Sequence, residues 1–160
     1  MTATYQVLVD DMKALGIEQV FGLMSDDTAV FATALDSAGI RFYGARHENN
    51  AIAMAEGYSY GTGGLGVAVI GRGPATANGL HAATYASRSG SRVLIIFGDQ
   101  ASSSGAVNTI GPDYKGFNST AVLGAAGIRT FVATSPAAAR GALADAASAA
   151  PSTPVALNPL

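Results

Sequence analysis

The sequence predicts an α/β fold of three layers, with helices on both sides of a roughly six-stranded parallel sheet. Three observations predict it. Short β-branched apolar runs alternate with longer stretches of helical periodicity along the whole chain. The strongest runs are apolar on both faces, as strands covered from both sides require. Glycine marks most of the junctions where a helix stops and a strand begins. The 160 residues suffice for one domain, at about 100–200 residues each, and residues 1–160 are read as one unit.

Taken in order, Tyr5, Leu8, Val9, Met12 and Leu15 share one helical face, and Gly16 supplies a stop. The run Gln19-Val-Phe-Gly22 follows as a short strand. Asp26 and Asp27 suit the first turn of a helix that runs through Leu35 and ends near Gly39, because acids favour the positive end of a helix. Residues 40–43 read as a strand, and 47 to about 60 as a helix rich in small residues. Residues 65–70 and 93–97 are strands separated by a helix over 75–87. Residues 98–113 form a long, weakly periodic loop, a length usually found where a loop is functional. A short helix at 117–125, a strand at 128–132, an alanine-rich helix at 136–149 and a strand at 154–157 complete about six βα units.

Composition excludes several classes of function. Hydrophobic residues make up 49% of the chain and charged residues 12%, the reverse of a disordered chain. A net charge of −2 gives no footprint for nucleic acid or an acidic membrane. With no cysteine and only His47 and His81, thiolate chemistry, disulfides and multi-histidine metal sites are out. The N-terminus lacks a basic segment followed by an apolar run, and no stretch nears the roughly 18 apolar residues of a membrane helix. A cytoplasmic location is expected.

In doubly wound sheets ligands gather beyond the carboxyl ends of the strands. The segments that follow the expected strands are Gly22-Leu-Met-Ser-Asp26, Gly44-Ala-Arg-His-Glu48, Gly71-Arg-Gly-Pro-Ala-Thr-Ala-Asn78 and Gly98-Asp-Gln100. The third has two readings. Its glycines would let backbone N–H groups approach a phosphate at a helix N-terminus, or they form a tight strand-to-helix turn. Pro74 removes one donor and no P-loop lysine follows. Glu48 also has two readings. It is a carboxylate stabilised by a helix dipole, or a partly buried acid facing a cleft, suited to proton exchange by apolar neighbours such as Ile52 and Met54. His47 points about 100° away from Glu48 on a helix, which speaks against a joint dyad. His81 reads as structural.

Together these segments resemble the N-terminal pyrimidine-binding (PYR) domain of thiamine-diphosphate enzymes of the acetolactate synthase and 2-oxoacid decarboxylase family. Val20-Phe-Gly22, Arg46-His-Glu48 with Ala55-Glu-Gly-Tyr58, Gly73-Pro-Ala-Thr-Ala-Asn78 and the run 93–98 carry the likeness in order and spacing. The resemblance implies that Glu48 hydrogen-bonds N1′ of the aminopyrimidine and exchanges a proton with it, activating the thiazolium for attack on a 2-oxoacid. It implies that Leu23, Met24, Gly71, Gly73, Pro74 and Asn78 line the pyrimidine. Lys115, after the long loop, is a candidate carboxylate anchor or a solvated surface lysine.

The departures are specific. Met24-Ser25 stands where the family often has Pro-Gly, and Arg72 where a small polar residue is common. The family's Gly-Asp-Gly motif with its downstream asparagine, which binds Mg²⁺ and the diphosphate, has no match here. Gly98-Asp-Gln100 lacks the last glycine, and Asn108 and Asn118 come too soon. The resemblance therefore implies the pyrimidine half of a site whose diphosphate (PP) half and Mg²⁺ come from another domain or subunit, in a homo- or hetero-oligomer. Such a chain is expected to be inactive alone, either as one subunit of a split enzyme or as a domain of a longer chain. A regulatory or assembly module of the same fold is the alternative. A generic mononucleotide-binding domain lacks a phosphate-binding lysine and a ribose-binding acid at a convincing position.

Overall fold

The computed structural model describes residues 3–26, 28–98, 117–149 and 155–159. In chain order the elements are α1 (Thr4–Ala14), β1 (Gln19–Gly22), α2 (Ala29–Ser37), β2 (Arg41–Gly44), α3 (Glu48–Thr62), β3 (Gly66–Ile70), α4 (Pro74–Ser89), β4 (Val93–Phe97), α5 (Ser119–Ala125), β5 (Arg129–Ala133), α6 (Pro136–Ala149) and β6 (Val155–Pro159). The strands form one six-stranded sheet in the order β2-β1-β3-β4-β6-β5, and every pairing is parallel. The three-layer α/β/α architecture expected from the sequence is the one observed.

Strand alternation divides the interior into two cores. Val67, Val69, Leu94, Ile96, Val155 and Leu157 point to one side, where Leu8, Val9 and Met12 of α1, Leu35 of α2 and Leu143 of α6 meet them. Ala68, Ile70, Val93, Ile95, Phe97 and Ala156 point to the other, against Ile52 and Ala55 of α3, Ala83 and Ala86 of α4 and Leu123 of α5. Right-handed crossovers explain the division. Connections that step one way along the sheet carry α3, α4 and α5 over one face. Those that step back, through α2 and α6, lie on the opposite face. Burial on both faces is why 66–70 and 93–97 read as continuous apolar runs. The Leu94 side chain is fully buried in the first core. Leu94→Ala is expected to destabilise the fold by roughly 2–5 kcal/mol, measured by urea denaturation.

The structure shifts several boundaries. On α1 the buried residues are Val7, Leu8, Val9 and Met12, while Tyr5 and Leu15 are 39% and 49% exposed. The helix is wedged between α2 and α6, so its buried stripe includes Val7, and Leu15 falls beyond the last turn. Helix α2 begins at Ala29 rather than at the two aspartates, because a side-chain-stapled turn precedes it. Helix α4 begins at Pro74, where a missing N–H costs nothing and the fixed φ favours the first turn. Among the described residues no helix is long and apolar enough to cross a membrane.

Candidate functional site

The sheet reverses direction between β1 and β3, since the chain leaves β1 for one neighbour and β3 for the other. This is the position at which doubly wound folds open a crevice. Here the ends of β1, β2 and β3 are stitched together. Ala45 N–H donates to Gly22 O at 2.7 Å, and Leu23 N–H donates to Val69 O at 3.1 Å. Gly22 allows this convergence. A Cβ there would lie 2.7 Å from both the Phe42 ring and Val69 O.

Beyond β1 the chain folds into a turn held by Thr28. Its hydroxyl donates to Leu23 O at 2.8 Å and accepts the Ser25 N–H at 2.9 Å. The turn spans Met24-Ser25, where the resemblance leads one to expect Pro-Gly. It leaves Leu23 partly buried and Met24 61% exposed, so the apolar wall expected from both residues has an open outer edge. Thr28 escaped the sequence reading, although its spacing from Ser25 is that of a side-chain turn. Ser25 in turn approaches the loop after β3. Its Oγ lies 3.5 Å from where a Gly71 Cβ would be.

That second loop is a tight turn. Gly73 has φ +66° and ψ −120°, a conformation reserved in practice for glycine. Pro74 has no N–H, and the Thr76 N–H is taken by Gly73 O at 3.0 Å. The donors a phosphate cradle needs are therefore depleted, which favours the turn over the cradle. Gly71, Gly73 and Pro74 thus shape the backbone between β3 and α4.

Glu48 is the first residue of α3 and is only 7% exposed. Its Oε2 accepts the Asn78 Nδ2 hydrogen bond from α4 at 3.1 Å. Among the described residues its Oε1 takes no hydrogen bond. Asn49 Oδ1 accepts the Ala82 N–H at 2.8 Å, a second tie between α3 and α4. The helices approach closely at Gly79, where a Cβ would lie 2.6 Å from Ile52 Cδ1 and 3.7 Å from Glu48 Cβ. Asn49 and Gly79 were not singled out from sequence. A glycine inside a helix costs about 1 kcal/mol relative to alanine and so signals a packing demand, whereas the Asn49 contact has no local signature.

The structure thus brings Glu48 and Asn78 together, and Gly71 together with the Leu23–Ser25 turn. Ile52 is the buried apolar neighbour of Glu48, while Met54 is a third or more exposed. His47 is the N-cap of α3. Its Nδ1 accepts the Asn49 N–H at 3.2 Å, which gives it a structural task separate from Glu48. His81 lies exposed on α4. Asn118 caps α5 by accepting the Ala121 N–H. Lys115, Asp99, Asn108 and nearly all of the 98–113 loop lie outside the described residues. Among the described residues no three His, Asp or Glu side chains gather as a metal site would need.

A carboxylate with one oxygen fixed by an amide and the other open, on a wall made apolar by Ile52, can accept or give a proton to a ring nitrogen. An aminopyrimidine fits that donor set. Residues 2–117 match the family described as thiamine pyrophosphate enzyme, N-terminal TPP binding domain. The chain is 36% identical over 93 residues to the catabolic acetolactate synthase of Raoultella terrigena, covering 58% of this chain and 16% of the relative. It is 35% identical over 78 residues to the acetolactate synthase large subunit of Lactococcus lactis, covering 48% of this chain and 14% of the relative. It is 35% identical over 71 residues to the probable sulfoacetaldehyde acetyltransferase of Rhizobium meliloti, covering 44% and 12%. The matched segments span about an eighth to a sixth of the length of these curated relatives.

Proposed function

The chain belongs to the thiamine pyrophosphate enzymes through their N-terminal TPP-binding domain, and from that premise we propose that it is the pyrimidine-binding, cofactor-activating half of a lyase or carboligase acting on 2-oxoacids. The observation that carries the reading is Glu48, a nearly buried carboxylate on the first turn of α3, held by Asn78 at the carboxyl end of the sheet.

When bound, thiamine diphosphate supplies a nucleophilic carbon and an electron sink for decarboxylation. The chain's own residues would bind, orient and exchange a proton. Glu48 would meet N1′ of the pyrimidine and would hold or release a proton there. Leu23, Met24, Gly71, Gly73 and Pro74 form the wall against the ring, with Asn78 beside Glu48. Mg²⁺ and the diphosphate are assigned to a PP domain supplied in cis or by a partner subunit. The relatives named acetolactate synthase support the carboligase form of this reading, and the one named sulfoacetaldehyde acetyltransferase leaves the substrate open.

Arg72 and the Leu23-Met24-Ser25 turn favour the alternative of a regulatory or assembly module. The Glu48–Asn78 pair favours catalysis, because a scaffold has no use for a carboxylate held nearly out of water. Calorimetry separates the readings. Thiamine diphosphate with Mg²⁺ is expected to give no heat at millimolar concentration with the chain alone. Binding is expected once a diphosphate-binding domain is joined to it. Tight binding by the chain alone would overturn the half-site, and no binding by the joined protein would favour the module.

A further inference from the structure

We propose that Asn78 is a positioning residue that gives the two oxygens of Glu48 different tasks. Its amide fixes Oε2, and Oε1 is left as the oxygen that exchanges the proton with the cofactor. The inference rests on the reading of this chain as a pyrimidine half and assigns one step within it. A proton would leave Oε1 for N1′ of the bound cofactor and return to Oε1, so that Glu48 would be unchanged over a cycle.

The local structure explains why Glu48 needs a partner from another helix. A carboxylate on a first turn would ordinarily find the free N–H groups of its own helix. Here His47 has taken them. Its Nδ1 accepts from Asn49 N–H, and its carbonyl accepts from Asn50 and Ala51 N–H at 3.0 and 3.1 Å. Asn78 Nδ2 is the donor that Glu48 meets instead.

The contact is set by packing rather than by a free side chain. Asn49 ties the first turn of α3 to Ala82, one helical turn beyond Asn78. Gly79, beside Asn78, lets Ile52 and Glu48 close in on α4. Oε2 is thereby held, while among the described residues Oε1 takes no hydrogen bond. Asn78 itself is exposed, so changing the residue does not open the core.

The test has two parts. In the chain itself, the side-chain amide of Asn78 is followed by ¹H–¹⁵N NMR against pH. Its signals are expected to move with the ionisation of Glu48 and to lose that dependence in Glu48→Gln. Signals indifferent to pH would overturn the bond.

In the protein assembled with a diphosphate-binding domain, the probe is hydrogen–deuterium exchange at C2 of thiamine diphosphate. Asn78→Ala is expected to slow exchange at saturation by about 10- to 100-fold, with half-saturation by cofactor nearly unchanged. Asn78→Asp keeps the shape but sets a second carboxylate against Glu48. Two such groups hold a proton between them, so the acid limb of the pH–rate profile is expected to move to higher pH. Arg46 and His47 before α3, Arg72 before α4 and His81 on α4 are other ionisable side chains near this end of the two helices. Arg46, His47 and His81 are exposed, Arg72 is half-buried, and all four are unchanged in these variants. Exchange at the wild-type rate in Asn78→Ala, or a loss only through weaker cofactor binding, would overturn the proposal. Undiminished exchange in Glu48→Gln would instead overturn the reading on which it rests.

Discussion

Glu48→Gln is expected to leave the chain folded and to lower turnover by at least about 100-fold in the protein assembled with its diphosphate-binding half. The size follows from what general acid–base groups contribute, about 10²–10⁴-fold. The substitution separates chemistry from architecture unusually well at this position. Glutamine has the same length, and its carbonyl oxygen still accepts the Asn78 amide hydrogen bond, so the tie between α3 and α4 survives. The neighbouring tie from Asn49 to Ala82 is untouched. Burial is easier for the neutral amide than for a carboxylate. Thermal stability should therefore stay within about 1 kcal/mol of wild type. What disappears is the ability to hold and return a proton. Turnover within threefold of wild type, with the fold intact, would mean that this carboxylate does no proton transfer and that the chain is a module without chemistry.

The fold was legible where burial dictated composition. Strands β3 and β4 are covered on both sides, so every position in 66–70 and 93–97 had to be apolar or small. The edge strands β2 and β5 carry exposed residues and are harder to read from pattern alone. The start of α2 was misplaced because acids at 26 and 27 imitate a first turn. The deciding group is Thr28, whose hydroxyl closes the preceding turn. The two members of the site were legible singly, through motifs that resemble a family. Their contact was not, since Glu48 and Asn78 are thirty residues apart in sequence and meet only where α3 crosses α4. The same holds for Asn49, an exposed-looking polar residue whose partner is a backbone N–H on another helix.

That crossing depends on how closely α3 lies on the sheet, and Gly66 tests this. Gly66→Ala is expected to destabilise the fold by about 3 kcal/mol or more, beyond the usual range for adding one methyl to a core. A Cβ at Gly66 would run into the carbonyl oxygen of Ala55 and lie 2.6 Å from its carbonyl carbon. Both atoms belong to the backbone of α3, so no side chain can swing aside. Gly66 is held from the other direction by its N–H bond to Arg92 O at 2.9 Å and by its register with Val93. The helix must lift from β3, and Ile52 and Ala55 lose packing together. At about 2–4 °C per kcal/mol the melting temperature should fall by roughly 6–12 °C. Gly61→Ala is the control on the same helix. Nothing lies within 4 Å of its would-be Cβ, so it should gain about 0.5–1 kcal/mol from helix propensity. Equal stability of the two alanine variants would show that α3 does not sit against β3 as described. A fall confined to Gly66→Ala would tie the placement of Glu48 to a glycine on β3, under the middle of α3, where the absent side chain sets the distance between the helix and the sheet.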